Sequence, residues 1–88
     1  MTKTFTLYPE ATDDGMFIIS AFRYALGRRT YAVGCVANVM VRLAPHMGII
    51  DRELVAREIR EAVRMERAGD ESDVKQWLRV VDAMEDAT

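Results

Sequence analysis

Tyr31-Ala-Val-Gly-Cys-Val-Ala-Asn-Val-Met-Val-Arg-Leu43 is the stretch on which the fold turns. Val33, Cys35, Val36, Val39, Met40, Val41 and Leu43 spread apolar side chains over several faces of whatever structure the chain adopts. Four of these are Val, which suits a buried strand, because β-branched side chains pack well on a pleated surface. The run is long for a strand, however, and Ala32, Ala37 and Ala44 are strong helix formers. Pro45 ends it, since the residue before a proline is steered out of the α region. Read as a helix with so little polar surface, the segment belongs at the centre of the domain and makes the protein mainly α.

The upstream stretch predicts a helix from near Gly15, capped by Asp13 or Asp14, with Phe17, Ile18, Ala21, Phe22, Ala25 and Leu26 on its apolar face. Gly27 is the expected stop, with Arg23 near the negative end of the helix dipole and Thr30 capping the next segment. Downstream, Asp51 is the expected cap of a helix over residues 52–68, closed by Gly69, with Leu54, Val55, Ile59, Ala62 and Val63 buried. Asp70 or Ser72 opens the last helix, whose core stripe is Val74, Trp77, Leu78, Val81 and Met84. Residues 3–8 alternate polar and apolar before Pro9, which reads as a short strand or extended arm. The expectation is one compact four-helix domain over residues 1–88, with an N-terminal arm over 1–12 and a helical core over 14–86.

Composition fits that picture and narrows the chemistry. Among 88 residues there are six Met and only two Pro, which favours helix over a turn-rich β fold. The single Cys excludes an internal disulfide framework, and the single His excludes paired-His chemistry and most His-based metal sites. The first fourteen residues have neither the basic nor the apolar region of a signal peptide, and no uncharged apolar run reaches membrane-spanning length. A cytoplasmic protein with no membrane association is expected. The net charge of −2 conceals two opposed fields. Residues 15–50 carry Arg23, Arg28, Arg29 and Arg42 and no acid, whereas residues 68–88 set six acids against Lys75 and Arg79.

Few residues point to catalysis. Cys35 lies in the most apolar segment, where a thiol packs as a small hydrophobe. His46 and Asp51 would give a metal two ligands at best. Gly27-Arg28-Arg29 lacks the spacing of a phosphate loop, and Asp70, Glu71 and Asp73 read as helix-entry chemistry rather than an acid–base pair. No enzyme activity and no cofactor or metal are expected. The basic cluster of Arg23, Arg28, Arg29 and Tyr31 reads as charge solvated or neutralised within the chain by the acidic last helix, or as a partner surface, for a protein first and for nucleic acid as the alternative. The acidic set of Asp70, Glu71, Asp73, Asp82, Glu85 and Asp86 is the other candidate. It reads either as a solvated helix face or as a mimic of phosphate spacing.

Phe22-Arg-Tyr-Ala-Leu-Gly-Arg-Arg-Thr-Tyr-Ala-Val33, Arg57-Glu-Ile-Arg-Glu-Ala62 and Asp73-Val-Lys-Gln-Trp-Leu78 resemble segments of small phage and prophage proteins, over roughly residues 17 to 81. The resemblance implies a host-takeover factor of the anti-CRISPR kind, which binds a Cas effector stoichiometrically and blocks target-DNA binding or cleavage in an infected or lysogenic bacterium. It brings no site motif with it. The alternative is a small nucleic-acid-binding phage regulator that uses Arg23, Arg28 and Arg29.

Overall fold

The computed structural model describes residues 8–26 and 30–86, with the backbone alone for residues 30 and 31. It forms α1 Asp13–Ala25, α2 Thr30–Leu43, α3 Ile49–Arg64 and α4 Glu71–Asp86, with a 3-10 turn at Ala44–His46 after α2. The mainly α expectation holds, and no strand occurs among the described residues. The expected arm lies outside them apart from Tyr8 and the turn that follows it, as does the expected stop at Gly27.

The centre of the molecule is α4, not α2. Residues 31–43 do form a helix, but of the described side chains from 32 to 43 only Val33, Ala37 and Met40 are buried, in line with Ala44 of the following turn. These fall at i, i+4, i+7 and i+11, a single stripe. Cys35 is exposed, Val39 is 55% exposed and Leu43 is 38% exposed, so the outer face of α2 stays apolar and uncovered. Helix α4 makes the most extensive contacts, with α2 on one side and α3 on the other. Its Trp77 is fully buried and meets Phe22 of α1 edge to face, with ring centroids 4.7 Å apart. Val80, Val81 and Met84 continue this stripe, whereas Leu78, expected in the core, is exposed beside Lys75, Arg79 and Asp82.

The starts of α1 and α3 differ from expectation, for one connected reason. Thr12, not Asp13 or Asp14, caps α1, its Oγ1 accepting from the Gly15 N–H at 3.1 Å. Helix α3 starts at Ile49 after Gly48, which leaves Asp51 inside its first turn instead of at the cap. Buried there, Asp51 crosses to α1 and accepts from the Thr12 N–H at 3.0 Å and the Thr12 hydroxyl at 2.5 Å. Only glycine fits at position 15, because a Cβ would fall 2.4 Å from the Asp51 carboxylate. Helix α3 stops at Arg64, short of Ala68, and the chain turns through positive φ at Glu66 and Gly69. Asp70 then caps α4, accepting from the Asp73 N–H at 2.9 Å, while Asp73 Oδ2 accepts from the Asp70 N–H at 3.4 Å.

Candidate functional site

Of the basic candidates, Arg23 is turned inward. Its Nε and Nη2 donate to the two carboxylate oxygens of Glu58 on α3, at 3.1 and 3.0 Å. The Tyr8 hydroxyl donates to Glu58 Oε1 at 2.5 Å. The two charged side chains are 18% and 19% exposed. Burial alone would raise the Glu58 pKa, but the hydrogen bonds from Arg23 and Tyr8 outweigh it and hold the carboxyl below its ordinary value. Burial and the bond to Glu58 push the Tyr8 phenol up. This triad fastens α1 and the segment before it to α3, so Arg23 is neutralised within the chain, by α3 and not by the expected last helix, and is corrected from a partner contact to a scaffold residue. Arg28 and Arg29 lie outside the described residues, and of Tyr31 only the backbone is described.

The acidic candidates do not form one patch. Asp73 is buried in the helix entry, as its type suggests, and is corrected only as a candidate partner contact. Asp70 is exposed, with its carboxylate engaged by the Asp73 N–H. Glu71, at the start of α4, is exposed. Asp82, Glu85 and Asp86 are exposed at the other end, and Glu85 pairs with Arg60 of α3. Along the axis roughly 17 Å separates Glu71 from Asp82, at a rise of about 1.5 Å per residue.

His46 and Asp51 do line the same cleft, but both Asp51 oxygens already accept from Thr12. Among the described residues no three His, Cys, Asp or Glu side chains converge as metal ligands. None of the described helices is long and apolar enough to cross a membrane.

What the structure brings together instead is apolar. Phe17, taken as core from its spacing, is 73% exposed. It stands with Leu43, Met47 and Ile18 around a cleft of about 480 Å³, where the start of α1 meets the end of α2 and the start of α3. Val39 lies one turn before Leu43 on α2, with Cys35 one turn before that, and Tyr24, 65% exposed, lies two turns after Phe17 on α1. Because α1 and α2 pack on each other, these residues give the pair an outer surface rich in aromatic and aliphatic side chains. Asp13, Asp14, Ser20 and Arg42 border it with polar groups. The signal was present in the sequence: Phe17 shares its helix face with Asp13, Asp14 and Ser20, which marks that face as outward.

Comparison with protein-family models, curated proteins and solved structures finds no match to this chain.

Proposed function

We propose that this chain is a binding protein that acts by occupying a surface of a protein partner, through the outer face of α1 and α2. The observation that carries the reading is the exposure of Phe17, Val39 and Leu43 on rigid helices beside the cleft. Contiguous apolar patches rimmed by polar groups mark interaction sites, and aromatic anchors contribute most of the binding energy in such contacts. The resemblance to small phage proteins supplies the partner class: a Cas effector, held stoichiometrically so that target DNA is not bound or cut. The alternative of nucleic-acid binding is weakened because the Arg23 guanidinium is already engaged by Glu58.

The test is co-elution of the purified chain with Cas effector complexes, together with plaque counts of a targeted phage in cells expressing it. Binding and phage rescue that are lost in a Phe17→Asp, Leu43→Asp double variant support the reading. Absence of binding and rescue across effector subtypes overturns the Cas assignment. A salt-sensitive gel shift abolished by Arg28→Ala and Arg29→Ala would transfer the reading to nucleic acid.

A further inference from the structure

On another side of the molecule α3 and α4 enclose a groove of about 550 Å³, walled by Ile49, Arg52, Ala56 and Met84 and rimmed by Arg60 and Glu85. Its decisive residue is Arg52, only 7% exposed. Among the described residues Nε and Nη1 of its guanidinium find no hydrogen-bond acceptor. A cation held in such a place is costly unless it is paired. The neighbouring arginines are differently placed: Arg60 pairs with Glu85, and Arg64 pairs with Glu61 at 2.5 Å, both in exposed positions. Arg52 is therefore a donor walling a partly apolar groove; of the arginines beside it, Arg60 and Arg64 have carboxylates and Arg57 is exposed to solvent.

We propose that the α3–α4 groove is a binding site for a small monocarboxylate with a short apolar tail, anchored on Arg52. A carboxylate matches a guanidinium in charge and in its two-oxygen geometry, which makes this among the stronger hydrogen-bonded pairs. One buried cation balances one negative charge. A phosphate dianion would draw on a second cation; the one at hand is the exposed Arg57, and Glu53, Glu61 and Glu85 around the groove oppose the added negative charge. Ile49, Ala56 and Met84 give the tail apolar walls, and the volume lies in the range of small-ligand pockets. Nε and Nη1 are closed off from solvent in the structure, so the proposed contact requires the Arg52 side chain to turn towards the groove. The site is independent of the α1–α2 docking face, and neither proposal requires the other.

The experiment is titration of the whole chain with straight-chain carboxylates from acetate to octanoate, read by calorimetry and by the shift in melting temperature. Hexanol and inorganic phosphate serve as comparison probes, and Arg52→Met and Arg52→Lys as variants. The proposal expects saturable binding that tightens a few-fold per added methylene, with a melting temperature that rises with ligand as mass action requires. Arg52→Met should lose at least tenfold in affinity while remaining folded, and Arg52→Lys should fall between it and the natural chain. Four results overturn the proposal: no carboxylate binding, equal affinity in Arg52→Met, equal affinity for hexanol, or phosphate binding more tightly than hexanoate.

Discussion

Asp51 and Arg52 are neighbours in sequence, both buried, and about 100° apart around α3, with opposite outcomes. Towards α1, the Asp51 carboxylate is met by two donors of Thr12, and one turn pair further along Glu58 is met by Arg23 and Tyr8. Towards α4, Arg52 meets no acceptor among the described residues. The start of α3 lies between two helices, so charged side chains there are buried whether or not they have partners. The α1 side resembles a finished structural seam. The α4 side holds an unanswered donor that borders a groove, unlike the equally unpartnered Trp77 Nε1, which does not line it.

The largest effect tests what the two sides share. Trp77 reaches from α4 to Phe22 of α1, so Trp77→Ala should cost about 3–5 kcal/mol. For a domain of this size that lowers the melting temperature by roughly 12 °C or more. A shift of only a few degrees would mean that the two sides are not joined through one core.

Next comes the finished side. Arg23→Met leaves Glu58 inward-facing without its main partner and should cost about 1.5–3 kcal/mol at neutral pH in urea denaturation. The pH dependence has a definite sign. The folded Glu58 carboxyl titrates below its unfolded value, so its stabilisation is present above about pH 4.3 and disappears as pH falls through the lower folded value. The gap between the natural chain and Arg23→Met should therefore narrow in acid. A gap that stays constant down to low pH would break the assignment. Thr12→Val is smaller, about 1 kcal/mol, since it removes the α1 cap and one of the two donors to Asp51.

Arg52→Met should move the other way. With no pairing lost and a buried cation removed, stability holds or rises by about 1 kcal/mol. Loss comparable to that of Arg23→Met would show that Arg52 is paired after all and would erase the contrast.

How much of this was readable beforehand follows from the distance over which each feature is encoded. The four helices were legible because periodicity, Pro45 and Gly69 act within a few residues. Phe17, Val39, Leu43 and Leu78 were misplaced because an apolar residue reports only that it would gain from burial. Whether a neighbouring helix covers it depends on packing, and Asp13, Asp14, Lys75 and Asp82 on the same faces were the local hint. Asp51 looked like a cap because its type suits one. The partner it takes instead, Thr12, is 39 residues away. Arg23 and Glu58 are separated by 35 residues, and nothing in the local sequence of either names the other. Arg52 was invisible for the same reason, one of five arginines in a charge-balanced segment.

The smallest effect completes the comparison. Arg64 pairs with Glu61 one turn earlier on α3, with both side chains more than half exposed. Arg64 therefore resembles Arg23 in having a carboxylate and differs from it in burial, while it differs from Arg52 in both. If pairing alone governed stability, Arg64→Ala would behave like Arg23→Met. Water solvates both ends of an exposed pair in the folded and the unfolded chain, and the long side chains lose freedom in holding one geometry. Arg64→Ala should accordingly leave the melting temperature unchanged at low and at high salt. A clear loss that fades with added salt would show that surface charge pairing stabilises α3, and that the burial separating Arg23 from Arg64 counts for less than their shared geometry.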